Sequence, residues 1–187
     1  MSFIIRKLLR AAALCALLLT TLLSPVPAVD FAEYRVKAEF LERIAEFVEW
    51  PAGAFSGPEA PFVITIAGTD PFGHYLEDLA RTRTIKGRAV VLHHVEPGDP
   101  LGACHLLFIA NSEHRRLDEI LASAAGRAVL IIGDGKRFAE KGAHVAVYRK
   151  EGRLRFELNL EASRRSGLIF SSKLMPLAAA VYGKEGP

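Results

Sequence analysis

Phe62-Val63-Ile64-Thr65-Ile66-Ala67-Gly68-Thr69-Asp70-Pro71 is the stretch that decides the fold. Six mostly β-branched residues run without a polar alternate and stop at Gly68-Thr-Asp-Pro71, where Asp70 is placed to cap a helix with Pro71 at its first position. A strand wetted on one side would alternate, so an unbroken run means that both faces are covered. The pattern recurs. Arg88–His93, His105–Ala110 and Ala128–Ile132 read as further strands, with a helix over Phe72–Ala80 between the first two. Asn111-Ser112 cap a second helix carrying Leu117, Ile120, Leu121 and Ala124, which Gly126 stops. Gly133-Asp-Gly135 closes the fourth strand, and a short helix is expected around Arg137–Lys141. Buried strands alternating with helices predict an α/β fold, a single-domain, mostly parallel sheet flanked by helices.

Beyond Gly142 the style changes. Ala143–Arg149 and Arg153–Leu160 are joined by Lys150-Glu-Gly152, and Arg153, Arg155 and Glu157 alternate with Leu154, Phe156 and Leu158. This reads as a C-terminal β-hairpin at the sheet edge. Glu161–Ser166 can form a helical turn, Gly167 breaks it, and a last helix is expected to start near Pro176.

At the other end, Arg6, Lys7 and Arg10 precede an uncharged run from Ala11 to Leu23 and then Ser24-Pro-Val-Pro-Ala28. The run is shorter than the roughly 20 residues of a membrane span. It reads as a signal peptide over residues 1–28, cleaved after Ala28, with one domain over 29–187. The formal charge of +3 then loses its meaning: three of the 24 Lys+Arg precede the cleavage site and all 21 Asp+Glu follow it. With 21 of each sign left, a nucleic-acid partner has no electrostatic support. Cys15 goes with the signal, and Cys104 remains as a lone, strand-borne thiol unable to form an intramolecular disulfide.

Between the signal and the first strand lies a helix. On a wheel of 100° per residue, Val36, Ala38, Phe40, Leu41, Ile44, Ala45, Phe47 and Val48 share an apolar arc of about 200°, wider than one sheet face requires. The surplus can be packed by the C-terminal helix or by a second subunit or partner protein. Lys37 falls at the centre of that arc. Snorkelling of its four methylenes past the packing is the preferred reading, and a buried ion pair or ligand contact is the other.

Recognised catalytic chemistry is missing. No HxH, HxxxH, HExxH or CxxC spacing suggests a metal, and there is no GxSxG elbow, Walker loop or GxGxxG after a strand. His93 and His94 are neighbours on a strand and point to opposite faces. No cofactor is implied, and a non-enzyme is expected. Thr69, Asp70, Asn111, Ser112 and Asp134 follow strands and would gather at the carboxyl edge of a parallel sheet, the usual crevice for a small ligand. Such residues also serve as ordinary caps and turns.

Several blocks together resemble the YfiR family: Lys37-Ala38 with Phe40-Leu41, Phe47-Val-Glu-Trp-Pro51, Gly68-Thr-Asp-Pro-Phe-Gly73, Cys104-His-Leu-Leu-Phe-Ile109, Phe156-Glu-Leu-Asn-Leu160 and Ser171-Ser-Lys-Leu174. The resemblance implies a periplasmic regulator, often dimeric. Such a regulator binds and inhibits the periplasmic domain of a membrane-bound diguanylate cyclase or related sensor kinase, lowering cyclic-di-GMP signalling and biofilm formation, and is itself sequestered by an outer-membrane lipoprotein. Lys37, Phe40, Phe47 and Trp50 are the candidate partner-binding residues. A periplasmic small-molecule sensor using the sheet's carboxyl edge is the alternative.

Overall fold

The unbroken runs become the centre of one large sheet in the computed structural model, which describes residues 31–96 and 98–183. The signal peptide expected over residues 1–28 and its cleavage site lie outside the described residues. In chain order the elements are α1 (Phe31–Glu46), β1 (Val48–Glu49), β2 (Phe62–Ala67), α2 (His74–Thr82), β3 (Thr84–Ile85), β4 (Arg88–Val95) and β5 (Leu106–Ile109). These are followed by α3 (Leu117–Ser123), β6 (Leu130–Asp134), β7 (Val145–Lys150), β8 (Arg153–Asn159), α4 (Leu160–Arg165), β9 (Ile169–Phe170) and β10 (Ala180–Tyr182). The main sheet runs β10-β8-β7-β6-β5-β2-β4-β3, and β1 pairs with β9 in a separate ribbon.

Every residue of β2, β5 and β6 is buried, as their unbroken apolar character requires. The pairs β4–β2, β2–β5, β5–β6 and β6–β7 are parallel. Alternate side chains feed two cores. Leu106, Phe108, Leu130 and Ile132 meet Leu41 and Ile44 of α1 and Leu76 of α2 on one face. Leu107, Ile109 and Ile131 meet Leu117 and Ile120 of α3 and Phe138 on the other. A Cβ on Gly133 would overlap the Phe138 ring, so this strand position must be glycine for the loop to pack.

The β7–β8 hairpin turns at Glu151 and Gly152, both at positive φ (53° and 73°), the pair of left-handed residues that matches strand twist. It sits at one end of the sheet, with β10 added parallel to β8 outside it. The helix expected near Pro176 is therefore replaced. Ser172–Leu177 form a 3-10 turn containing Pro176, whose missing N–H suits a short turn better than an α-helix, and the chain then covers the open edge of β8. Arg137–Lys141 is a turn rather than a helix, since Arg137 takes φ 72°. Asn111–Glu113 is a 3-10 turn, and α3 begins later, at Leu117, with no side-chain cap. Asp70 accepts from the Phe72 N–H at 2.7 Å but starts only a turn, and α2 begins at His74 after Gly73 at φ 55°.

Two buried histidines finish the strand starts. Nδ1 of His105 accepts from the Val63 N–H at 2.9 Å, and Nδ1 of His144 accepts from the Ile131 N–H at 2.8 Å. Each ring must be neutral at Nδ1 to accept, and burial lowers both pKa values, that of His144 to about 4. A histidine depressed on folding contributes its full stability above the unfolded pKa near 6.5 and loses it as pH falls toward 4, by roughly 3 kcal/mol for His144. The urea midpoint should be level above pH 7 and drop between pH 6.5 and 4, with His105 acting in the same direction. His144→Asn, which keeps an acceptor near Nδ1, should lose much of that slope. An unchanged slope would place the acid sensitivity elsewhere.

Candidate partner interface

Lys37 does not snorkel. It is 2% exposed, and its Nζ lies 2.5 Å from Glu33 Oε1 one turn earlier and 2.5 Å from Asp134 Oδ1 at the carboxyl end of β6. The ammonium also sits 4.4 Å from the centre of the Tyr34 ring, whose hydroxyl donates to Asp134 Oδ2 at 2.9 Å. Burial, and then the Asp134 charge beside it, raise the Tyr34 pKa, so the phenol stays a proton donor. Glu33 has Arg149 of β7 at 3.9 Å. The first turns of α1 are thus bound by charge to β6 and β7. Lys37 cannot itself be a surface contact; it positions the helix.

The helix surplus is covered by the C-terminal segment, though not by a helix: Leu168, Phe170 and Leu174 enter the same core as Ala38, Leu41 and Ile44. Phe40 is half-buried with its ring 5.3 Å from Phe156. Trp50 lies 5.3 Å edge-on to Phe62 and 6.3 Å from Phe55, and its buried Nε1 has no hydrogen-bond partner among the described residues. These two are packing residues on this geometry.

Phe47 differs, at 40% exposed. In the β1–β9 ribbon Val48 pairs with Phe170 and both are buried, while Glu49 pairs with Ile169 and both face out. Ser171 N–H donates to the Phe47 carbonyl at 2.8 Å, which carries the pairing one residue further and puts Phe47 on the outward face. Ile169, 62% exposed, is its diagonal neighbour. The sequence reading names Phe47 but not Ile169, since no local pattern reveals that a two-residue strand after Gly167 pairs with β1, just beyond α1.

The carboxyl-edge residues do converge, on one another. The Thr69 N–H donates to Ser112 Oγ at 3.2 Å, and Ser112 Oγ is 3.0 Å from Glu113 Oε1. Asp70 holds the Phe72 N–H with one oxygen and His94 Nε2, 2.7 Å away, with the other. Asn111 and Thr69 are exposed, and Asp134 is taken by Lys37 and Tyr34. Gly68, at φ 89°, lets these loops approach, because a Cβ there would strike the Glu113 side chain. Among the described residues, no three His, Cys, Asp or Glu are grouped to hold a metal ion, and no helix is long and apolar enough to cross a membrane. Burial pushes the Cys104 thiol up to about 11, so it is a packed hydrophobe rather than a nucleophile.

Removing Lys37 leaves the buried Asp134 carboxylate without its cation, whereas removing the Asp134 carboxylate leaves Lys37 with Glu33 alone. Lys37→Met should cost about 3–5 kcal/mol in urea unfolding, and Asp134→Leu toward the lower end of that range because Glu33 still meets the ammonium. The double variant Lys37→Met/Asp134→Leu should cost clearly less than the sum of its parts. Full additivity would show that the two charges do not depend on each other.

A family model described as YfiR/HmsC-like matches residues 34–179, from the second turn of α1 to the residue before β10. No curated protein matches the sequence. The match takes in Tyr34, Lys37 and Asp134, the buried residues of both cores and the ribbon. The chain belongs to the YfiR/HmsC-like family.

Proposed function

We propose that this protein is a periplasmic regulator that binds the periplasmic domain of a membrane-bound diguanylate cyclase, or of a related sensor kinase, and holds it inactive through the outward face of the β1–β9 ribbon. Membership of a family of periplasmic regulators supports the class of function. The observation that carries the surface is the side-by-side exposure of Phe47 and Ile169, with Glu49 on the same face. Large exposed apolar side chains beside a charged residue match the composition of an interface core and its rim. The fitting partner presents an apolar centre with basic groups toward Glu49.

Inhibition requires that the regulator bind the inactive state of the partner more tightly than the active one, because a ligand with equal affinity for both shifts nothing. A rigid ribbon suits this. Its inner residues Val48 and Phe170 are locked in the core, and α1 is tied to the sheet by Lys37, so the presented face cannot adapt equally to both states. A sequestering outer-membrane lipoprotein would relieve inhibition by covering the same face.

Deleting the gene should raise cellular cyclic-di-GMP, and restoring the wild-type gene should lower it. Ile169→Asp should leave urea stability within about 0.5 kcal/mol and Phe47→Asp should still unfold cooperatively, yet both should fail to restore the low level. If both complement as well as wild type, the ribbon is not the contact. If the deletion leaves cyclic-di-GMP unchanged, the cyclase is not the target.

A further inference from the structure

At the amino edge of the sheet, opposite the Lys37–Asp134 cluster, the starts of β6 and β7 and the ends of α3 and α4 enclose a cleft of about 320 Å³. Its apolar lining includes Leu121 and Ile131, and its polar side chains are Lys141, His144, Arg165 and Ser166, with no carboxylate in the lining among the described residues. His144 is 2% exposed and its ring is oriented by the fold. Since Nδ1 accepts from the Ile131 N–H, the neutral ring carries its proton on Nε2, which lies 3.0 Å from Ser166 Oγ. A hydroxyl oxygen that accepts there has its own hydrogen left to donate, and Ser166 lines the cleft. Arg165 holds Glu161 at 2.6 Å through one nitrogen, which leaves further guanidinium donors, and Lys141 makes no ion pair among the described residues.

We infer that this cleft is a binding site for a small organic anion, a carboxylate or phosphate on a compact apolar body, held by Lys141, Arg165 and the Ser166 hydroxyl that His144 orients. Every side-chain group offered there with a proton is a donor, which selects an acceptor-only head, and charge-assisted bonds of this kind are the strong ones. The volume falls at the lower end of small-molecule sites. The cleft is separate from the ribbon face, so the inference stands whatever the partner is.

Phenyl phosphate and benzoate, with benzyl alcohol as the neutral control, test it on the purified protein by thermal shift and by amide chemical-shift mapping. Saturable stabilisation by at least one anion is expected, with shifts centred on Gly142 and Ser166 and little response to benzyl alcohol. The tighter of the two anions assigns the head group. Lys141→Ala and Arg165→Ala should each weaken binding about tenfold or more, and Ser166→Ala by several-fold. Lys136→Ala, an exposed lysine outside the cleft, should bind as wild type. No saturation by either anion, equal response to benzyl alcohol, or undiminished binding in both charge variants would overturn the assignment.

Discussion

An ammonium at the centre of an apolar helix face is tolerable only if a carboxylate meets it there, and the pairing of Lys37 with Asp134 fixes where α1 lies. Glu33 supplies a second oxygen from the same helix, while Tyr34 occupies the remaining oxygen of Asp134. Asp134 is the last residue of β6, so the contact sets one end of α1 against the carboxyl edge of the central sheet. The other end is set by Val48 and Phe170 in the ribbon. Between these two fixings Leu41 and Ile44 are pressed onto β2, β5 and β6 without freedom to slide. A purely apolar helix would pack about as well in several registers; the buried charge selects one.

The same logic of satisfied polar groups runs through the amino edge. Strands that start beneath loops expose backbone N–H groups with no ladder partner, and burial makes each of them costly. This protein answers at Val63 and Ile131 with imidazole nitrogens from His105 and His144. The loop Pro51–Pro61 brings Phe55 to stack on His105 at 4.3 Å, and Arg88 covers the other side, its guanidinium 4.1 Å from the Phe55 ring. Neutral imidazole is therefore a structural requirement.

What could be read in the sequence follows from these contacts. β2, β5 and β6 were legible because burial on both faces leaves a run that nothing else explains, and the hairpin because Glu151-Gly152 sits between two alternating segments. The burial of Lys37 was not legible: its deciding partner is 97 residues away, although the Glu33–Lys37 spacing of one helical turn was a local hint. β10 reads as helix locally because Ala178-Ala-Ala180 favours helix, and its extension is imposed by pairing with the open edge of β8, which no local pattern shows. Asp70, Ser112 and Asp134 were correctly placed at the carboxyl edge. What each would hold there was decided by loops the sequence does not bring together.

The two surfaces of interest are joined by a short and rigid piece of chain. Arg165 and Ser166 end α4, Gly167 turns the backbone at φ 70° beside Pro51, and Ile169 then faces out from the ribbon. Ser163 clamps this turn from both sides, its hydroxyl donating to the Leu168 carbonyl at 2.8 Å and its own carbonyl accepting from the Leu168 N–H at 2.9 Å. An anion seated on Ser166 would thus act three residues from the exposed Ile169, through a turn with little slack. Proximity alone does not couple two sites; coupling requires that the turn have two arrangements which the anion and the partner prefer differently. If the clamp admits only one arrangement, the cleft stabilises the regulator without informing it. If it admits two, filling the cleft changes affinity at the ribbon, and by reciprocity the partner changes affinity at the cleft by the same factor.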